Sequence, residues 1–367
     1  MKTKLGYAAA AFGALAAAET GISAYFYRRT MMRGNARTDR TIKMAGTDWS
    51  QYFPLIEKRR EWMMAQPHRD VWIRSYDGLK LHGTFFPNGG SKKTVICFHG
   101  YTSEGMSDYI GLSDYYLKRG FSMLLVDERA HGKSEGKYIG FGCLDRRDAL
   151  SWIHRVIEQE GDGCQILLHG ISMGGATVLM TASLPLPPQV KGVISDCGFT
   201  SPKEVFAHVL HSMYHLPAFP ILSIADRMNR KLAGYGLDEC NAAREVKKMS
   251  LPLLIIHGEN DTFVPCSMGK RIYENCASPN KQLLLVPGAA HAESYYKDMA
   301  ACEGQHVPHF LGTGAEGIQV MVCPFMAAHD DQVVLLDGCF QGLCVVQYRA
   351  DGGFLKADVI QFFPVVK

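Results

Sequence analysis

The chain has 367 residues, of which 47% are hydrophobic and 20% charged, and a net charge of +3. Such a chain buries a sizeable core, which excludes a disordered protein, and the small net charge gives no electrostatic footprint for nucleic acid. Eleven cysteines, an odd number with no C-x-x-C pair and no histidines at zinc spacing, argue against a disulfide framework or a structural zinc site and point to free thiols in a reducing compartment.

Residues 1–33 open the chain with an Ala-rich apolar run, Leu5–Tyr27, interrupted by Glu19 and closed by Tyr25, Phe26, Tyr27, Arg28, Arg29 and Arg33. Its length suits one membrane-spanning helix, and its aromatic and basic end suits an interfacial anchor. A signal peptide cut near Ala16-Ala17-Ala18 and a peripheral or soluble helix are the competing readings. If the run is an anchor, the basic flank favours a cytoplasmic domain behind it, although Lys2 and Lys4 weaken that argument. Residues 34–70 read as a linker followed by a helix around Tyr52–Met64 that packs on the domain.

The folded domain starts at about residue 71. Val71–Ser75 and Lys80–Phe85 flank the turn Tyr76-Asp77-Gly78 and predict a hairpin. Thr94–Phe98 and Ser122–Val126 are unbroken apolar runs, which is how strands buried on both faces read. A helix over Asp108–Lys118 lies between them, and a longer one over Leu144–Ile157 puts Leu144, Ala149, Trp152, Ile153 and Val156 on one face. Further strands are expected near Ile166–Leu168 and over Val190–Ser195, Leu251–His257 and Lys281–Val286, with a closing helix over Ser294–Leu311. Strands alternating with helices predict an α/β fold, a mostly parallel central sheet flanked by helices, with its chemistry at the carboxyl ends of the strands. His99, Asp127, Ser172, Asp196, Asp261 and His291 all fall just past such a strand.

Gly170-Ile171-Ser172-Met173-Gly174 turns sharply from a strand into an Ala/Val/Leu/Met helix. A serine at the apex of a strand–turn–helix is a nucleophile elbow; small residues flank it because side chains there would collide with the neighbouring strand and helix. A serine hydroxyl needs a base, a histidine works near neutral pH, and the histidine needs an acid to fix its tautomer. Ser172, Asp261 and His291 follow in that order, with Asp261 in the context Asp261-x-x-Val264-Pro265; Asp196 is the alternative acid.

HGYT at 99–102, DERAHGKSEG at 127–136, GISMGG at 170–175, HGENDTFVP at 257–265 and GAAHAES at 288–294 together resemble the α/β-hydrolases, in particular serine esterase and lysophospholipase-like bacterial hydrolases with an N-terminal hydrophobic segment. The resemblance covers about residues 71–311. It implies Ser172 as nucleophile, His291 as general base and acid, Asp261 as orienting carboxylate, and the amides of Tyr101 and Met173 as oxyanion hole. Ala130 stands where the family usually has glycine. The implied substrate is a small-molecule carboxylic ester, plausibly with a hydrophobic acyl group, and no cofactor or metal is implied. A thioesterase or peptidase with the same triad, and a non-catalytic binding protein of this fold, are the alternatives.

Residues 199–249 read as a small helical cap. Ser201-Pro202-Lys203-Glu204 forms a capping box, and the following residues place Phe206, Leu210, Met213 and Tyr214 as candidates for the substrate pocket. His99 and His169 read as structural, Asp127 and Glu259 as bonded rim groups, and His131, His208, His211 and His215 as surface or cap packing. Arg129 and Lys133 read as a solvated loop. The tail, residues 312–367, carries strand-like pieces at Ile318–Cys323, Gln332–Leu336, Leu343–Tyr348 and Val359–Val366 without a clear core pattern. Oligomeric state is not legible in the sequence.

Overall fold

The computed structural model describes residues 2–34, 46–306, 343–351 and 354–363. The chain divides into two units, Met1–Phe310 and Leu311–Lys367. In the first, strands Arg69–Arg74 (β1), Lys80–Phe86 (β2), Lys93–Phe98 (β3), Phe121–Val126 (β4), Gln165–Ile171 (β5), Val190–Asp196 (β6), Leu253–Gly258 (β7) and Lys281–Val286 (β8) form one sheet in the order β1-β2-β4-β3-β5-β6-β7-β8. Only β2 runs against its neighbours, and every pairing from β4 to β8 is parallel. The central strands β3 to β7 are buried almost throughout, whereas β8 at the edge is half-buried along most of its length. The unbroken apolar runs therefore mark the centre of a sheet covered on both faces.

The helices in chain order are Lys2–Met31 (α1), Phe53–Met64 (α2), Gly105–Tyr109 (α3), Ser113–Lys118 (α4), Asp145–Glu160 (α5), Met173–Thr181 (α6), Pro202–Tyr214 (α7), Ile221–Leu232 (α8), Ala242–Glu245 (α9), Cys266–Asn275 (α10), Ser294–Lys297 (α11) and Met299–His306 (α12). On α5, Ala149, Trp152, Ile153 and Val156 are buried, the face that the 3.6-residue period predicts. Two expected helices are broken. The one expected over residues 108–118 is split by a 3₁₀ turn at Ile110–Leu112, where Gly111 lies so close to the Tyr296 side chain that no Cβ would fit. The closing helix is split at Asp298, whose backbone leaves the helical region and whose carboxylate caps α12 through the Ala301 N–H at 2.9 Å. Residues 307–311 lie outside the described residues.

The N-terminal segment departs most from expectation. No helix among the described residues is long and apolar enough to cross a membrane, so the membrane anchor finds no support. Alanine is only weakly lipophilic, and the C-terminal half of α1 instead buries a stripe, Ser23, Tyr27 and Met31, at four-residue spacing. The Tyr27 hydroxyl reaches Asn229 Oδ1 on α8 at 3.3 Å. Beyond the helix, Arg33 and Ile139 donate backbone bonds to Lys137 and Met31, both at 2.9 Å.

The loop after β4 is also tighter than its charge suggests. Arg129 is not solvated but 2% exposed, and it forks onto Asp148 of α5 at 2.6 and 2.8 Å and onto Asp77 of the β1–β2 turn at 2.9 Å. A planar guanidinium that satisfies two carboxylates can be buried where a lysine could not. Next to it Ala130 has φ 63°, the left-handed region that suits glycine and costs alanine roughly 1 kcal/mol. Asp127 accepts from His82 Nδ1 at 2.7 Å and from the Lys133 N–H at 2.9 Å, while His82 Nε2 meets Asp70 at 2.9 Å.

Burial alone would push His82 down, but its bonds to Asp127 and Asp70 hold it above the ordinary histidine value. A group raised in the folded state stabilises below its unfolded pKa and loses that contribution as pH rises through the folded value. His82→Ala is therefore expected to lower Tm more at about pH 5.5 than at about pH 9, as followed by thermal unfolding of both proteins.

The second unit is described at Leu343–Asp351 (β9) and Phe354–Phe363 (β10), an antiparallel pair whose register shifts between Val359 and Gln361. Of the four strand-like pieces of the tail, Leu343–Tyr348 lies in β9 and Val359–Val366 lies in β10 as far as Phe363, its last residues falling outside the described residues. Those at 318–323 and 332–336 lie outside the described residues.

Candidate active site

Ser172 stands between β5 and α6 with φ 56° and ψ −110°, a backbone conformation that side-chain-bearing residues rarely adopt. Crowding on either side enforces it. A Cβ on Gly170 would overlap the Gly174 carbonyl, and one on Gly174 would overlap the Phe98 carbonyl at the end of β3. The turn is further pinned by the Ser172 N–H on the Asp196 carbonyl at 2.8 Å and the Gly174 N–H on the His99 carbonyl at 3.0 Å.

The loops after β7 and β8 bring Asp261 and His291 to this serine. His291 Nε2 lies 2.9 Å from Ser172 Oγ, and Nδ1 lies 2.7 Å from Asp261 Oδ2. The second carboxylate oxygen of Asp261 accepts the N–H groups of Phe263 at 3.0 Å and Val264 at 2.8 Å. Burial alone would raise the Asp261 pKa; the neighbouring His291 and His257 more than offset it and hold the carboxyl well below the usual range. Asp196, the alternative acid, makes no hydrogen bond to His291. Burial pushes its pKa up to about 6. Its contribution is the backbone carbonyl that holds the serine amide. The His291 loop has a support that the sequence did not suggest. Thr47 Oγ1 donates to the His291 carbonyl at 2.7 Å, and the Tyr52 hydroxyl donates to Glu293 at 2.7 Å.

The loop after β3 abuts the serine from the other side, with Gly100 against its Cβ. Among the described residues, the backbone N–H groups of Tyr101 and Met173 have no hydrogen-bond acceptor, although their neighbours do. The Gly100 N–H is held by Asp108 Oδ2 at 2.7 Å and the Thr102 N–H by His131 Nε2 at 3.3 Å. His131 is thus a positioning residue for this loop rather than surface packing. Burial first, then the adjacent His99, pushes its pKa down to about 3. The ring is therefore neutral: Nδ1–H donates to the Arg129 carbonyl at 3.0 Å, which leaves Nε2 as an acceptor. Its signal, a histidine two residues past a buried arginine and paired 29 residues upstream, is not local. His99 and His169 are structural as expected: His99 Nε2 accepts the Glu128 N–H at 3.0 Å, and His169 Nδ1 meets the Tyr116 hydroxyl at 2.9 Å.

Two cavities meet at Ser172. One, of about 790 Å³, runs under the cap between α1, α7 and α8. Phe206, Leu210 and Tyr214 line it at four-residue spacing; Met213, one residue off that face, does not. Its far wall is α1 from Gly21 to Met31 and the residues just after it, a segment that sequence reasoning assigned to an anchor. The other cavity, of about 690 Å³, opens between the 49–60 segment and residues 291–296. Tyr101, Thr102, Ser172 and Phe263 line both.

One group among the described residues has metal-ligand spacing: donor atoms of Cys197, Asp261 and His291 lie within 4.8 Å of one another. Asp261 and His291 already bind each other, however, and burial holds the Cys197 thiol well above its usual pKa and so protonated. The arrangement suits a different chemistry. A hydroxyl bonded to a carboxylate-oriented imidazole can lose its proton while attacking a carbonyl carbon, and two uncommitted N–H groups can receive the oxyanion that forms.

The sequence matches the family described as serine aminopeptidase, S33, over residues 89–233 and 237–293, a stretch that contains all three hydrogen-bonded side chains. It is 27% identical over 288 residues to the uncharacterized protein YqkD of Bacillus subtilis, covering 78% of this chain and 92% of that one. Among solved structures, the Pyrococcus furiosus esterase Pf2001 is similar over 75% of this chain and 95% of its own, with a TM-score of 0.56 and 23% identity. In a second crystal form of that esterase the match covers 66% and 90%, with a TM-score of 0.52 and 25% identity.

Proposed function

The chain belongs to the α/β-hydrolase family described as serine aminopeptidase, S33, and from that premise we propose that it is a serine hydrolase acting on carboxylic esters of hydrophobic acids. The observation that carries this reading is the bonded chain Ser172–His291–Asp261 at the mouth of an apolar cavity. Ser172 Oγ attacks the ester carbonyl as His291 Nε2 takes its proton, with Asp261 holding the ring in the required tautomer. The oxyanion is received by the Tyr101 and Met173 amides, the second at the positive end of α6. The intermediate collapses as His291 returns the proton to the leaving alcohol, and water then clears the acyl-enzyme by the same route.

The acyl cavity favours an ester over the substrate that the family description names. An aminopeptidase must hold the substrate's terminal ammonium on the acyl side of the scissile bond. Among the described residues lining that cavity there is no Asp or Glu, and its charged members are Arg28 and Arg29. Aromatic and aliphatic side chains from the cap and α1 supply the rest of the wall, which suits an acyl chain. The esterase name carried by the 25%-identical solved structure supports the same assignment.

A panel of p-nitrophenyl esters from acetate to palmitate, set beside aminoacyl-p-nitroanilides, tests the proposal. The expected result is hydrolysis of esters with kcat/KM rising as the acyl chain lengthens. Val209→Trp, on the half-buried cap face that lines the cavity, should cut the decanoate-to-acetate ratio by about tenfold or more. Cleavage of the anilides without turnover of any ester would contradict the assignment.

A further inference from the structure

The second cavity at Ser172 has no role in what has been described so far. It is as large as a ligand site in its own right, about 690 Å³, and its wall is mainly apolar and aromatic, with Trp49, Phe53, Ile56, Leu112, Tyr295 and Tyr296. Glu57, Arg60, Asp108 and Asp196 also line it. The aromatic residues brace one another, Trp49 edge-on to Tyr296 at 5.5 Å and Tyr52 tilted on Tyr296 at 5.2 Å. Its floor holds both Ser172 and His291, whereas the cavity under the cap contains Ser172 without His291.

That difference gives each cavity a side of the scissile bond. In acyl transfer the proton taken from the serine returns from the imidazole to the departing oxygen. The alcohol half of the substrate must therefore lie on the His291 side, and the acyl half on the other. We propose that the cavity between the 49–60 segment and residues 291–296 is the binding site for a bulky, apolar alcohol moiety. The substrate is then an ester large and hydrophobic on both sides of the bond, rather than a fatty acyl group on a small or strongly polar alcohol. This inference rests on the ester-hydrolase reading above and adds the second half of the substrate.

Part of each wall comes from outside the stretch that the family match covers. Trp49, Phe53 and Ile56 of the alcohol cavity, and the α1 residues of the acyl cavity, all precede residue 89, where the family match begins. The same segment anchors the catalytic histidine loop through Thr47 and Tyr52, so it both shapes the cavity and supports the group that would deliver the proton to its occupant.

The test holds the acyl group fixed as octanoate and varies the alcohol among primary alcohols of matched acidity: methyl, butyl, benzyl, 2-naphthylmethyl and dodecyl. Hydrolysis is followed in a pH-stat, so that no chromogenic leaving group biases the series. The wild type is expected to favour the naphthylmethyl and dodecyl esters over the methyl ester by about tenfold or more in kcat/KM. Ile56→Trp, a half-buried position on α2, should bring that ratio close to one, whereas Val209→Trp acts on the acyl-length ratio. A wild-type alcohol series that is flat or favours methyl overturns the inference without any variant being made. So does an Ile56→Trp protein that folds and keeps the wild-type alcohol ratio. Turnover of none of the esters, with no labelling by a fluorophosphonate, contradicts the ester-hydrolase reading and this inference with it, and so differs from turnover without alcohol selectivity.

Discussion

Replacing His291 with alanine is expected to lower kcat for ester hydrolysis by roughly 10⁴- to 10⁶-fold, the range seen when one member of such a chain of residues is removed. The imidazole has two jobs: it takes the Ser172 proton across 2.9 Å and returns it to the leaving group. Neither the Asp261 carboxylate nor the neighbouring His257 can substitute. Asp261 is bonded to the far nitrogen of the ring, and His257 Nε2 is already engaged with the Val264 carbonyl at 2.9 Å. KM should change less than kcat, because the cavity under the cap does not include His291, which is one of many residues lining the other. The residual rate should be that of the remaining oxyanion donors and substrate binding. Steady-state kinetics on a p-nitrophenyl ester, with circular dichroism to confirm the fold, gives the comparison. A loss of less than about tenfold would remove His291 from the mechanism.

Gly174→Ala should be among the most damaging small substitutions for stability. The added methyl group points into the Phe98 carbonyl, a backbone atom of the central sheet that cannot rotate away. Relief requires the elbow and α6 to shift against β3. A cost of about 3 kcal/mol or more is expected, at the upper end for overpacking, and Tm should fall by roughly 2–4 °C for each kcal/mol. Activity should fall further than stability alone explains, because the same shift moves the Ser172 hydroxyl and the Met173 amide. Ser183→Ala, a half-buried position past the end of α6, serves as the contrast and should change Tm by little. An unfolding curve for Gly174→Ala that overlays the wild type would mean that the elbow is not held by this contact.

What the sequence disclosed follows from which forces are local. Buried parallel strands announce themselves as unbroken apolar runs such as Ile166–Leu168. The elbow is written within five residues because its constraint is steric and immediate. The Ser172, Asp261, His291 order survives because each loop follows its own strand. The cap pocket was half legible. Helical periodicity put Phe206, Leu210 and Tyr214 on one face but does not say which side of that face meets a cavity, so Met213 was carried along with them. The anchor reading of the N-terminal helix finds no support, and its ambiguity in the sequence has a physical reason. An Ala-rich helix has nearly the same composition whether it lies in lipid or docks on protein, and the stripe Ser23, Tyr27, Met31 is short and contains a polar residue. Arg129 was misread because its partners, Asp77 and Asp148, are 52 and 19 residues away, and no local pattern announces a buried ion pair. The structural role of His131 depends likewise on a backbone N–H 29 residues upstream.

The central claim is that Ser172 is the nucleophile of an acyl-transfer reaction, and the most direct measurement is the intact mass of the protein after exposure to a fluorophosphonate, followed by peptide mapping. The account predicts a single adduct on the wild type, mapped to the Leu167–Met180 region at Ser172, and none on Ser172→Ala under the same conditions. An adduct of equal yield on Ser172→Ala, or a wild-type protein that remains unlabelled while it hydrolyses esters, would contradict it.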